Sequence, residues 1–406
     1  MKLLRTLENN RYGATTYIYE LPKGLKVVHT KDPKTVETTV NVVFKAGAVY
    51  DILSKLPKGT AHMLEHMLSA NPNRYFKTKN SLEKFKQGTL RHAAMYDNAH
   101  TGDSLMWFDG TINSKFETRL IKLIYSYIDY PVEDFEKYIE KERKIIIAER
   151  NNEPKKEESR FYSFQEQFIE PQRPGFTHNV LGEISDIEKI KPEHLIALYN
   201  LRFSKGNTII TIQSNKEISK QFKDYLYKID DLIESRRQKQ LTPPKENLKN
   251  EKKIGYFKDI KYASIELQFG QFKPIETKVN YHKTVSTMIL SGCLNKLCFD
   301  ILREKYHMIY SWELGSRYST LFYNTFDYLS LTTEFKNANK LIKYVDKLLK
   351  KDVVKFLKSK KGKEWLTSIK SKFIYPGTVS FNSTFAFNIG AAILEGYELH
   401  ETDKLV

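Results

Sequence analysis

The stretch GTAHMLEHMLSA, residues 59–70, constrains this chain more than any other part of it. Its apolar residues Ala61, Leu64, Met67 and Leu68 recur with a helical period and can face a core. Positions four apart stack on one face of a helix, so His62 and His66 can point two imidazoles at one place. Glu65 lies one residue before His66 and three after His62, on the same side. Imidazole nitrogen suits zinc, but two histidines do not close a tetrahedral site. A catalytic zinc wants a third protein ligand and one open position. The pattern H-x-x-E-H is that of inverted zinc peptidases. The bland alternative is a helix with histidines on its surface. The apolar surroundings favour ligands, because buried histidine and glutamate need partners.

The rest of the chain alternates strands with helices. YIYELPKGLKVVHTKDP predicts a strand, a turn at Pro22–Gly24 and a second strand. ETTVNVVFKAGAVYD predicts a long strand broken near Gly47. After the helix over 59–69, MYDNAHTGDSLMWFDGTI predicts a short strand and turn, and FETRLIKLIYSYID an amphipathic helix. Pro131 opens a second long helix, VEDFEKYIEKERKIIIAERNNE, at a position that proline suits. SDIEKIKPEHLIALYNLRF predicts a further helix and NTIITIQS a strand. Residues 231–252 hold charge, a Pro-Pro step and few apolar residues, and predict a linker. Beyond it the order repeats loosely, with strands in YASIELQFGQF and LFYNTFDYLSLTTEF and helices over 281–305 and NANKLIKYVDKLLKKDVVKFL. The expectation is α+β, two similarly built domains over 1–230 and 253–406.

Composition narrows the function. A chain of 406 residues that is 40% hydrophobic fills more than one core. No apolar run is long enough for a membrane span, and the first residues do not read as a secretory signal. Cys293 and Cys298 are the two cysteines; they make no disulfide framework, have no metal-ligand spacing and fit a cytoplasmic setting. The net charge of +17 could favour nucleic acid, anionic lipid or an acidic peptide. The lysines look scattered, often beside glutamates, and clusters such as KKGKEW and ESRRQKQ read as surface or linker charge. No nucleic-acid module accompanies them. The charge is read as solubility first and acidic-substrate steering second, with neither nucleic acid nor membrane as a partner.

With its leading glycine and alanine, GTAHMLEHMLS resembles the signature of the pitrilysin-type, or insulinase-like, metallopeptidases of family M16. That family includes mitochondrial processing peptidase and small homodimeric bacterial relatives. Its third ligand is the second glutamate of an E-x6-E pair, which this chain matches with Glu142 and Glu149 in KERKIIIAERNNE. The resemblance implies one zinc ion per chain on His62, His66 and Glu149, with Glu65 as general base and Glu142 as support. The spacing agrees, since seven residues are close to two helical turns. FKAGAVYD resembles the strand before the metal helix, and DNAHTGDSLMWF the Asn-Ala-x-Thr strand after it. Asn98, with Ala99, would hold substrate there. The segment before that strand, KQGTLRHAAMYD, is longer than usual for the family. His100 fills the variable slot of that motif and is not taken as a ligand. His92 reads as a loop residue, and His178 and His194 as structural. LGEISDIEKIKPEHLIALYNLRFSKGNTIITI resembles the end of the family's first domain.

In the second half, REKYHMIY resembles the family's R-E-K-x-x-x-x-Y, which makes Arg303 a substrate anchor and Tyr310 a group at the scissile peptide. Lys296 stands where a serine–arginine pair is common. The resemblance implies two mixed α/β-sandwich domains of the M16, or LuxS-like, type that form half of a clamshell, and a zinc metalloendopeptidase acting on unstructured peptides within it. Peptide turnover, removal of targeting peptides and maturation of a leader or bacteriocin precursor all fit. A homodimer is expected, a heterodimer with an M16-like partner stays open, and the alternative is a non-catalytic subunit of such a complex.

Overall fold

The computed structural model describes residues 1–9, 13–152, 179–233, 262–274, 281–319, 324–374 and 385–395. They fall into two compact units. The first takes in residues 1–152, 179–233 and 385–395, and the second residues 262–374. His178 and residues 234–252 of the expected linker lie outside the described residues.

The first unit is built on a seven-stranded sheet of order β1-β2-β3-β7-β4-β6-β5. Its strands are β1 Lys2–Asn9, β2 Ala14–Glu20, β3 Lys26–Lys31, β4 Glu37–Phe44, β5 Tyr96–Thr101, β6 Met106–Asn113 and β7 Thr208–Ser214. The expected hairpin is β2–β3, with Gly24 at φ 99° in its turn. All neighbours are antiparallel except β3 and β7. Successive side chains of a strand point to opposite faces. Val42 and Val43, Ile210 and Ile209, and Val27 and Val28 therefore divide between two apolar clusters, one on each face. That is why these central strands read as unbroken apolar runs and not as alternation.

The helices of this unit are α1 Val49–Leu53, α2 Thr60–Ser69, α3 Lys79–Lys86, α4 Glu117–Ile128, α5 Phe135–Asn152, α6 Ile184–Ile187, α7 Pro192–Arg202 and α8 Lys220–Leu232. A further helix, Phe385–Glu395, packs on β3, β4 and β7. It carries Phe387 to Trp107, with ring centroids 5.3 Å apart. Gly390 permits the approach, since a Cβ there would meet Thr211 Cγ2 at 2.2 Å. The expected domain over 253–406 includes this segment, whereas its contacts lie with the first unit.

The second unit has a three-stranded antiparallel sheet of order β8-β10-β9, with β8 Tyr262–Pro274, β9 Ser311–Ser319 and β10 Asn324–Glu334. Helix α9, Tyr281–Leu297, runs on as a π-helix over Cys298–Lys305. After β10 come α10 Ala338–Lys347, a π-helical stretch Leu348–Asp352, α11 Val353–Lys358 and α12 Lys360–Ile374. Cys293, Cys298, Leu302, Leu331, Leu341 and Val345 are among its core residues. Both cysteines are free and buried. Among the described residues no helix is long and apolar enough to cross a membrane.

One buried carboxylate sets the start of α2. The residue before the helix is Gly59, at φ 89°, which can offer no capping side chain. Asp51 of α1, fully buried, takes that role and accepts from Gly59 N at 3.0 Å and Ala61 N at 2.9 Å. It satisfies two of the amides that a helix start leaves unpaired. The loop before α6 passes against the same place. A Cβ on Gly59 would lie 2.4 Å from Leu181 O, and one on Gly182, at φ 76°, 2.4 Å from Lys58 O. Two glycines thus let two backbones touch.

Two predictions follow from these buried groups. Asp51→Ala should cost about 2–4 kcal/mol in urea unfolding, because two buried amides lose their acceptor. Asp51→Asn keeps the volume and one acceptor oxygen but sets an NH2 donor against the second amide, so it should recover only part of that loss. Parent-like stability in Asp51→Asn would assign the loss in Asp51→Ala to packing. The second concerns His29, fully buried, whose Nε2 lies 2.9 Å from Ser214 Oγ. Burial holds its pKa down to about 4, against 6.5 unperturbed. The folded state then binds fewer protons than the unfolded one, and stability present above pH 6.5 is lost as pH falls towards 4. The loss should reach about 3 kcal/mol. Unfolding curves of His29→Gln should be flatter by that amount over the same window, whatever their level at neutral pH.

Candidate metal centre

Helix α2 is buried nearly all round. Ala61, Met63, Leu64, Met67 and Leu68 have no exposed surface, as befits a helix that is apolar on most sides. His62 and His66 meet Glu149 and Glu142 of α5, and Glu65 lies beside His62. His62 is 7% exposed and Glu65 6%. The two imidazoles stand edge to face with centroids 4.6 Å apart. Glu149, two turns beyond Glu142 on α5, brings Oε2 to 4.0 Å from His62 Nε2 and 3.7 Å from His66 Nε2. One donor atom from each of the three lies within 4.8 Å of the others, and this is the one such group among the described residues. Donors around a tetrahedral ion with bonds of about 2.0–2.2 Å stand roughly 3.3–3.6 Å apart. The set therefore needs only small closure to hold one, and its two nitrogens and one oxygen suit zinc.

Glu142 is fully buried and sits behind the pair, with Oε2 3.3 Å from His66 Nδ1. Its other oxygen accepts from Lys141 Nζ at 2.7 Å, and the same ammonium reaches Asn71 Oδ1 at 2.9 Å. A carboxylate on the far ring nitrogen fixes the tautomer that leaves Nε2 free as a donor atom. His62 Nδ1, by contrast, is buried without a hydrogen-bond partner among the described residues. Glu65 Oε2 lies 3.8 Å from His62 Nε2 and accepts from Thr101 Oγ1 of β5 at 3.1 Å. That bond ties the edge strand of the sheet to the helix.

Burial sets the proton affinities. It pushes His62 down to about 3, with the neighbouring His66 adding to the effect, so His62 is a neutral imidazole at pH 7. It raises Glu65 to about 7, against the opposing pull of His66 and the Thr101 hydrogen bond. His66 is desolvated too, but its bond to Glu142 and the charges of Glu65, Glu142 and Glu149 turn the balance upward. Burial raises Glu142, and its bonds to His66 and Lys141 outweigh it and leave the carboxyl lowered. The carboxyl groups of Glu65, Glu142 and Glu149 thus share one corner with His66 and Lys141.

The other residues singled out in the sequence fall as follows. Asn98 is exposed on β5, the outermost strand, and its Oδ1 accepts from Ala99 N. Ala99 packs against the core. His100 stacks on Trp107 and faces Asp109 at 3.0 Å. His92 is exposed in a turn with Thr89. His194 Nδ1 accepts from Lys191 N at the start of α7. In the second unit, Arg303 is exposed, with its guanidinium 5.9 Å from the Phe299 ring centroid, and Tyr310 is 78% exposed, its amide bonded to Thr332 O. Lys296 pairs with Asp300 at 2.9 Å. Sequence reasoning missed Thr101, Lys141, Asn71 and Asp51. Thr101 had a signal, since it closes the Asn-Ala-x-Thr motif. Lys141 and Asn71 had none, because their part depends on where two helices meet.

No family model and no curated protein matches the sequence. Solved structures do match in shape. A structure described as a peptidase M16 inactive domain from Pseudomonas fluorescens superposes with a TM-score of 0.72 at 15% identity, over 96% of this chain and 90% of that one. The first half of the periplasmic protease PqqL from Escherichia coli gives 0.70 at 12%, over 96% and 84%. Pitrilysin gives 0.66 at 16%, over 100% of this chain and 44% of its own. All are M16 proteins, and this chain has the M16 peptidase fold.

Proposed function

We propose that the chain is a zinc-dependent endopeptidase that cleaves flexible peptides, a precursor or leader peptide among them. The observation that carries this is the meeting of His62, His66 and Glu149 donor atoms beside a buried Glu65. His62, His66 and Glu149 would hold one zinc ion. A bound zinc ion supplies Lewis acidity at the peptide carbonyl and lowers the pKa of water. Glu142 orients His66, and Lys141 with Asn71 keeps Glu142 in place. Glu65, steadied by Thr101, accepts a proton from the attacking water and passes it to the leaving amine as the C–N bond breaks.

The open edge of β5 offers main-chain groups to an extended peptide, which would add as a further strand past Asn98 and Ala99. Arg303 and Tyr310 are assigned to substrate main chain and carbonyl oxygen on the strength of the sequence resemblance. The two free thiols fit a cytoplasmic setting. The chain spans 44% of pitrilysin and 43% of the full PqqL chain. On that ground a second copy, or an M16-like partner, would complete the working unit. The competing reading, a non-catalytic subunit, draws support from the neighbour described as an inactive domain.

Two measurements test the proposal. Zinc titration calorimetry should give one site per chain. Alanine at His62, His66 or Glu149 should abolish that site, and Glu142→Ala should weaken it by about 10–100-fold. Full zinc affinity in Glu149→Ala would remove Glu149 from the ligand set. For the chemistry, Glu65→Gln keeps size and hydrogen bonding but cannot take the proton. It should retain zinc while the cleavage rate of an unstructured peptide pool, mapped by mass spectrometry, falls at least about a hundredfold. Zinc binding without any cleavage by the parent protein favours the non-catalytic reading.

A further inference from the structure

The helices that follow β10 gather charge that looks scattered in the sequence. Residues 336–363 contain eleven lysines, two aspartates and no arginine. Every one of these lysines is exposed. Six of them, Lys340, Lys343, Lys347, Lys351, Lys355 and Lys358, follow at intervals of three or four along the continuous run of α10, the π-helical stretch and α11. Those intervals keep side chains on one face of a helix. The other side of the run is anchored in the second unit's core by Leu341, Val345, Leu348 and Val353, so the lysine face is held outward. From Lys340 to Lys358 the stripe is about 27 Å long. Among the described residues, Asp346 answers Lys350 and Glu334 answers Lys336, and none of the six has an ion pair.

We propose that this stripe docks the protein on an anionic membrane surface. Three features select lipid over nucleic acid. Lysine is a point charge that suits a diffuse field of headgroups, whereas reading of phosphate and base edges favours the arginine fork, which is lacking here. No exposed aromatic side chain stands on the stripe to stack on bases: Tyr344 packs on Tyr306 and Trp365 on Phe356. Instead, an apolar side chain is exposed among the lysines. Val354, one turn before Lys358, is 48% exposed. A basic helix with such a side chain lies in the plane of a membrane, lysines among the headgroups and the apolar tip at the acyl boundary. The binding is peripheral and reversible, and it rests on the second unit alone, independent of any peptidase activity.

The test is vesicle co-sedimentation of the full chain. Vesicles contain phosphatidylcholine with or without about 30 mol % phosphatidylserine, an anionic lipid content typical of a charged leaflet. Binding is expected on the anionic vesicles at about 0.1 M salt, falling steeply as salt rises, with none on neutral ones. The triple variant Lys343→Gln, Lys347→Gln, Lys351→Gln should lose at least about tenfold in affinity, since each lysine near the surface contributes several-fold. Val354→Asn should weaken binding without changing its salt dependence. A control with the same change in charge, Lys77→Gln, Lys79→Gln, Lys84→Gln on the first unit, should bind as the parent does. Absence of binding, equal binding to neutral vesicles, or equal loss in both triple variants overturns the proposal. Tighter binding to a duplex oligonucleotide than to anionic vesicles, at the same salt, overturns it in favour of nucleic acid.

Discussion

The carboxylate of Asp51 on the amides of Gly59 and Ala61 fixes where α2 begins. That matters because a helix carries its side chains at about 100° per residue. A start displaced by one residue would turn His62 and His66 away from α5, with no local way to bring them back. The Gly59–Gly182 backbone contact sets the height of the same point. The site thus hangs on a cap that lies outside the motif, and on two positions where any Cβ would collide with a carbonyl oxygen.

From that start, the protein makes unlike groups of like residues. His62 and His66 are one turn apart on one helix, yet their proton affinities move in opposite directions. His62 has no carboxylate on Nδ1 and is governed by burial. His66 rests on Glu142, which is itself held by Lys141. Glu142 and Glu149 differ in the same way: one is sealed in the core, and the other is half-exposed and reaches both imidazoles. Such division of labour requires a low-dielectric wall on one side and solvent on the other, which the α2–α5 seam provides.

Identity of 12–16% with proteins of the same fold is understandable in these terms. The sheet asks for apolar side chains on both faces of β3, β4 and β7, and many sequences supply them. Specific identities are demanded at a few places only: glycines where backbones touch, an acceptor for the α2 amides, and donor atoms on two helices. A chain can satisfy all of these and share little else with its structural neighbours.

Much was legible before any coordinates. The helical period around His62 and His66, the two-turn spacing of Glu142 and Glu149, the β2–β3 hairpin and the β4 and β7 strands follow from local chemistry, which periodicity records. What periodicity cannot carry is long-range partnership. Strand β9, SWELGSRYS, has a glycine at its centre and weak strand preference, and is held by pairing with β10. The helix Phe385–Glu395 joins the first unit because that sheet has a second apolar face to cover, a need recorded far away in Val28, Val43 and Ile209. Thr101 on Glu65, Lys141 and Asn71 on Glu142, and Asp51 beneath α2 each join residues from separate elements. The chain order could set His62 beside His66 and Glu142 two turns from Glu149, because helix geometry links spacing to direction, while the joining of the two pairs was implied by the family resemblance. Which groups orient those side chains, and how far burial shifts their protons, is decided only when distant segments pack and water is excluded from between them.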